Sequence, residues 1–128
     1  MEFIKFRKSL LIKNSYNFFD FNCNDELDTL SLIFKEPWAA ECVEIFLESN
    51  TKYTGMIKDT FYLNLHDDKN VVIGYLDDEK RAMQININVL LELIKKWEIL
   101  RKADVEKIIL TYDNGIYDFQ EYVTHSNA

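Results

Sequence analysis

The sequence predicts a single α+β domain over residues 1–128, with an antiparallel or mixed β-sheet and two main helices packed on one face. Three observations carry that expectation. Two stretches repeat apolar residues at the helical period, several others alternate at period two, and Asn114-Gly115 is a two-residue hairpin signal because both positions tolerate positive φ. The length of 128 residues suffices to remove roughly two-thirds of the extended-chain surface from water, so one core is expected.

Phe3, Ile4, Phe6, Leu10, Leu11 and Ile12 are expected in a first strand that continues past a polar turn, Asn14-Ser15, into Tyr16–Phe21. An acidic linker, Asn22–Asp28, then leads to Thr29–Phe34, which is apolar enough for a short strand. Glu36-Pro37 is expected to open the first helix, since proline at the first helical position loses no needed donor. Ala39, Cys42, Val43 and Phe46 form its apolar stripe, and Glu41, Glu44 and Glu48 follow three and four apart on another side.

From Lys58 the period changes to two. Phe61, Leu63 and Leu65 alternate with Tyr62, Asn64 and His66, Asp67–Asn70 turns the chain, and Val71–Leu76 returns as a hairpin. After a second polar turn, Asp77–Arg81, the residues Met83, Ile85 and Ile87 mark a further antiparallel strand. Asn88 is placed to cap a second helix, Val89–Lys102, whose buried stripe is Leu90, Leu93, Ile94, Trp97 and Leu100. On its charged side Glu92 is expected to face Lys95 and Lys96, and Glu98 to face Arg101 and Lys102. Lys107–Tyr112 and Ile116–Val123 complete the fold as a hairpin around Asn114-Gly115, and Thr124–Ala128 is expected to fray.

Charge is distributed unevenly. The formal net charge is −7, and the stretch Asn14–Thr51 accounts for it, with Asp20, Asp25, Glu26, Asp28, Glu36, Glu41, Glu44 and Glu48 against Lys35 alone. Such a balance repels phosphate, so nucleic acid is not expected as a partner, and the basic cluster Lys5, Arg7, Lys8 and Lys13 is interleaved with apolar strand residues. Those same bases break every apolar run at the N-terminus, so neither a secretory signal nor a membrane span is read and a cytoplasmic location is expected. Cys23 and Cys42 lack the paired spacing of a zinc site or a disulfide framework and read as buried free thiols.

The inventory for chemistry is thin. His66 and His125 are the histidines; the second is the fourth residue from the end of the sequence, and the first precedes Asp67-Asp68 at a hairpin tip, where solvation is the ordinary explanation for such a cluster. Gly55, Gly74 and Gly115 are isolated and build no phosphate loop. Hence no catalytic residue, no metal set, no cofactor and no small-molecule substrate is assigned.

A positive signal remains in the pairing of carboxylates with surplus aromatics. Carboxylates mimic phosphate charge and aromatic rings supply buried anchors, a combination that suits a decoy for a basic protein surface. Glu41, Glu44 and Glu48 form one such face, and Asp113, Tyr117 and Asp118, near Tyr112, Phe119 and Tyr122, form a second; ordinary solvation and strand packing are the competing explanations. In size, acidity and α+β layout the whole chain resembles the bacterial immunity proteins that neutralise polymorphic toxins of contact-dependent growth inhibition and related systems. The resemblance implies an immunity protein, not an enzyme, that binds one cognate toxin, a basic nuclease, stoichiometrically. Two alternatives stay open: an acidic decoy of the phage-encoded type, and a small enzyme with a carboxylate site.

Overall fold

Ile4 and Phe6 turn inward while Lys5 and Arg7 turn outward along β1 (Glu2–Lys8), the alternation of a strand that covers a core on one side. In the computed structural model, which describes every residue except Asn14, Pro37, 50–52, Asp59 and 124–128, this strand lies inside a four-stranded antiparallel sheet. Its neighbours are β2 (Tyr16–Asn22) and β7 (Lys107–Asp113), and β8 (Ile116–Glu121) closes the order β2-β1-β7-β8. This terminal sheet is made from the two ends of the chain. A second antiparallel sheet comes from its middle, in the order β3 (Gly55–Lys58), β4 (Phe61–Leu65), β5 (Asn70–Tyr75) and β6 (Ala82–Asn86).

The α+β class is as expected, with the strands divided between two sheets. The first strand ends earlier than its composition suggests. Leu10, Leu11 and Ile12 are not strand residues; they form an exposed loop, and Asn14 of the expected turn lies outside the described residues. A register shift between Lys5 and Phe6 then brings Phe18 opposite Phe6 and Phe21 opposite Ile4, so both rings lie on one face, 6.0 Å apart.

The expected linker and short strand over Asn22–Phe34 are corrected. Asp25–Lys35 is a helix, α1, capped by Asn24, whose side chain accepts from the Leu27 amide at 3.2 Å. Asp25, Glu26 and Asp28 fill its first turn, where the helix dipole favours carboxylates, and Lys35 stands in the last turn. This helix touches β1 and β2 of the terminal sheet and β5 and β6 of the middle sheet, so it joins the two. Leu27 and every residue from Thr29 to Phe34 are buried, and the two hydroxyls find local acceptors: Thr29 donates to the Asp25 carbonyl at 2.8 Å and Ser31 to the Asp28 carbonyl at 2.6 Å.

A second helix, α2 (Ala39–Glu48), buries Ala39, Ala40 and Val43, leaving Cys42 and Phe46 half-buried. Pro37 lies outside the described residues, and the residue at the N-cap is Trp38. The third helix, α3 (Ile87–Lys102), begins earlier than expected. Asn86, not Asn88, caps it, accepting from the amides of Asn88 at 2.9 Å and Val89 at 3.2 Å, while Ile87 belongs to the helix and not to β6.

Leu90, Leu93, Ile94 and Trp97 are the buried face of α3. Trp97 sits among Phe6, Tyr16, Phe34 and Phe119, with ring centroids 5.2–5.4 Å away, so one indole ties α3 to β1, β2, α1 and β8. The Tyr16 hydroxyl satisfies itself on the Val105 carbonyl at 2.5 Å. Among the described residues no helix is long and apolar enough to cross a membrane.

A charged cluster fixes α1 to the middle sheet. The Asp28 carboxylate accepts from the Tyr75 hydroxyl at 2.7 Å, from Arg81 at 2.5 Å and from Lys35 at 3.2 Å, and the Arg81 guanidinium lies 4.5 Å above the Tyr75 ring. Burial works to raise the Asp28 carboxyl, but these donors outweigh it and hold the group below the usual carboxylate range. Burial first and the Asp28 carboxylate second push the Tyr75 phenol up to about 12. At the far turn of the terminal sheet, Asn114 and Gly115 adopt φ of 49° and 81°, as a tight hairpin of that sequence requires.

Candidate functional site

Between α2 and α3 runs an open groove of about 570 Å³, with Trp38, Glu41 and Glu44 on the α2 side and Lys95, Ile99 and Lys102 on the α3 side. Trp38 dominates it. The ring is 54 % exposed, although tryptophan is one of the residues most rewarded by burial. Its backbone has φ 68° and ψ −5°, a left-handed conformation that costs a non-glycine residue about 1–2 kcal/mol. The residue supplies no side-chain cap to α2, a position where Ser, Asp, Asn or Gly would serve the helix better. The carbonyl does start the helix, accepting from the Cys42 amide at 3.0 Å, and the Arg101 guanidinium lies 5.7 Å from the ring centroid. Arg101 is itself held by Glu98 at 2.6 Å, so the back of the groove is rigid.

The structure separates the eight acidic residues of the first half into two groups. Asp20 pairs with Lys5, Asp25 and Asp28 with Arg81, and Glu48 with Lys95 at 3.7 Å. Glu26, Glu36, Glu41 and Glu44 make no ion pair among the described residues. Three of these four, Glu36, Glu41 and Glu44, flank Trp38 in the recess and groove around it. The exposed indole therefore has uncommitted carboxylates on its α2 side and the bases Lys95, Arg101 and Lys102 on its α3 side, an aromatic anchor within a charged polar rim.

The six residues singled out from sequence do not gather in one place. Glu41 and Glu44 line the groove, Glu41 exposed and Glu44 half-buried. Glu48 lies at the end of α2 against Lys95. Asp118 of β8 takes the next lysine of α3, Lys96, in a close ion pair, and also accepts from Gln120 at 3.0 Å. Partial burial works to raise the Asp118 carboxyl, but Lys96 and Gln120 outweigh it and keep the group below its ordinary range. The expected pairing of Glu92 with Lys95 and Lys96 is thus replaced: both lysines reach off the helix to neighbouring elements.

Asp113 is exposed at the β7–β8 hairpin. Tyr117 is half-buried with its ring 4.6 Å from Tyr112, and burial, then the neighbouring Tyr112 and the carboxylates of Glu26 and Glu2, push its phenol up to about 12. This second acidic and aromatic surface is centred on the start of β1 and the hairpin, away from Trp38.

Trp38 itself was not legible as a site residue. A tryptophan at the opening of a helix reads as core by default, and nothing in the local spacing announces positive φ. His66 is exposed, and the adjacent Asp67 is engaged locally, accepting from the amides of Lys69 and Asn70, each at 2.8 Å. Those backbone bonds hold its carboxyl below the usual range. His125 lies outside the described residues. Among the described residues no three His, Cys, Asp or Glu side chains gather in a metal-binding set, and both cysteines are free but half-buried, not buried as expected. Comparison with protein-family models, with curated proteins and with solved structures gives no match.

Proposed function

We propose that this chain is an immunity protein that binds and neutralises one cognate toxin, a basic nuclease, by stoichiometric protein–protein contact in the cytoplasm, without turnover or cofactor. The observation that carries the reading is Trp38, held exposed in a strained backbone conformation and flanked on the α2 side by the uncommitted carboxylates of Glu36, Glu41 and Glu44. Strain kept at a surface residue that contributes little to the core is characteristic of binding sites. In this arrangement the carboxylates accelerate encounter with a cationic surface, and desolvation of the indole sets the off-rate. Glu48 and Asp118, already neutralised by Lys95 and Lys96, contribute less; Asp113 and Tyr117 supply a separate, secondary surface.

The test is co-expression and titration with the product of the gene directly upstream. Toxin activity falls linearly to zero near one equivalent, and this inhibition is unaffected by chelators and survives His66→Ala. Trp38→Gly separates binding from folding. Glycine relieves the left-handed strain, so stability stays within about 1 kcal/mol of the parent, while loss of a hot-spot indole weakens binding by about 2 kcal/mol or more, roughly thirty-fold. Glu41→Lys with Glu44→Lys slows association and flattens its salt dependence. Inhibition well below one equivalent would replace this reading with catalysis, and unchanged binding by both variants would remove the groove from the interface.

A further inference from the structure

The β1–β2 loop is the sharpest anomaly on the surface. Leu10 is 100 % exposed, Leu11 95 % and Ile12 56 %, so three successive apolar side chains stand in water. Apolar residues scattered singly on a surface need no explanation, whereas an exposed run of this kind points to an interaction. The loop is also shaped. Ser9 Oγ accepts from the amides of Leu11 at 3.2 Å and Ile12 at 3.0 Å, the Ser9 amide donates to the Ser15 carbonyl at 2.9 Å, and the Ser15 amide donates to the Ile12 carbonyl at 3.3 Å. A tip already ordered gives up less entropy when it docks.

The collar around this tip is cationic. Arg7 and Lys8 precede it, Lys13 follows it, and Lys8, Lys13 and Arg101 line the recess beneath, where Asp104 is held by Lys8 in a close ion pair. We infer that the loop seats the protein on a membrane surface bearing anionic lipid, with Leu10 and Leu11 entering the acyl boundary and Arg7, Lys8 and Lys13 level with the phosphate headgroups. A convex apolar tip with a basic collar matches such a surface in both shape and charge. The collar would repel a basic protein, so this contact is distinct from the groove at Trp38, and the inference does not depend on that reading.

The net charge of −7 does not oppose it, because charge is segregated along the terminal sheet. Glu2, Asp113 and the first turn of α1, with Asp25 and Glu26, lie at the opposite end of the strands from the loop. Seven-residue strands place that end roughly 20 Å away, more than two Debye lengths of about 8 Å. At the tip itself Arg7, Lys8, Lys13 and Arg101 stand against Asp104 and the Glu98 that holds Arg101, so bases are in excess there, while Glu36, Glu106, Lys107 and Glu121 line the neighbouring recesses.

Co-sedimentation tests this with vesicles of phosphatidylcholine, with and without about a third phosphatidylglycerol, which recruits basic segments. The parent protein binds the anionic vesicles and releases them as salt rises. Leu10→Ser with Leu11→Ser loses at least about ten-fold in binding, since each leucine removed from water contributes about that factor. Lys8→Glu with Lys13→Glu loses at least about twenty-five-fold on anionic vesicles, at roughly five-fold per base removed, with the added carboxylates increasing the loss. Both pairs lie on the surface, and unchanged circular dichroism verifies that they fold. Absence of parent binding to anionic vesicles overturns the inference, as does parent-like binding by the leucine pair. Self-association in solution that the leucine pair abolishes, without vesicle binding, would assign the tip to a second copy of the chain instead.

Discussion

Replacing Trp97 by alanine tests the central claim about how the core is assembled. The indole is 4 % exposed and meets four aromatic rings from four other elements, each 5.2–5.4 Å away. Truncation of a buried tryptophan costs about 3–5 kcal/mol, and ring pairs add about 0.5–1.5 kcal/mol each beyond area burial. The four pairs share one ring and do not add, which places the expected loss near the top of that range, about 5 kcal/mol. A domain has about 5–15 kcal/mol in total, so the variant retains a fold only if the parent is well above the lower bound. At a few degrees per kcal/mol for a chain of this size, the melting temperature falls by about 15 °C or more. Thermal melts followed by circular dichroism measure this, and intrinsic fluorescence adds a second check: Trp38 becomes the sole indole, so emission shifts to that of a solvent-exposed ring. A melt within about two degrees of the parent would refute the picture of Trp97 as the common contact of five elements.

Other perturbations follow from single contacts. Asn86→Ala costs about 1 kcal/mol by removing the cap of α3, whereas Asn88→Ala stays within about 0.5 kcal/mol; equal urea midpoints for the two would contradict the assigned cap. Asp28, ionised at an unusually low pH in the folded state, lends stability that is complete above its unfolded pKa of about 3.9 and is lost as pH falls through the lower folded value. Asp28→Asn therefore flattens the acid limb of the stability profile, and an unchanged limb would show that the cluster with Tyr75, Arg81 and Lys35 is not coupled to folding. At the alkaline end Tyr75 and Tyr117 keep their protons to about 12 in the folded state against about 10 when unfolded, so stability declines as pH rises through that window. Tyr75→Phe with Tyr117→Phe reduces the slope, and a phenolate absorbance complete near pH 10 would sink the assignment.

Periodicity made some of this fold readable and hid the rest. The β4–β5 hairpin, the Asn114-Gly115 turn and the buried stripe of α3 each have one wet side, so their alternation survives in the sequence. The helix α1 does not. Thr29–Phe34 is buried all round, packed between two sheets, and an apolar run without a wet face has no period to distinguish helix from strand. The better signal was at its start, where Asn24 followed by Asp25, Glu26 and Asp28 is a cap and an acidic first turn, not a linker. Leu10–Ile12 misled for the opposite reason: apolar residues imply a core, and here they face water. The candidate site was half legible. Charge counting found Glu41 and Glu44, but whether a carboxylate is spare depends on lysines supplied by other elements, as Glu48 and Asp118 show.

The separation of the chain into a middle sheet and a terminal sheet also sets the order in which the molecule can become complete. The middle sheet pairs only sequence neighbours, strand after strand from Gly55 to Asn86, so its loops close at little entropic cost and it forms early. By contrast β1 occupies an interior position beside β7, whose residues lie about a hundred positions later; its inner face also needs Trp97 and Phe119. Strand β1 therefore leaves the ribosome long before it can be enclosed, and its apolar side remains open until α3, β7 and β8 have been made. Ile4 and Phe6 spend synthesis as an exposed sheet segment with one unpaired edge, and the bases beside them, Lys5, Arg7 and Lys8, act during that interval as charged gatekeepers against pairing with other nascent chains.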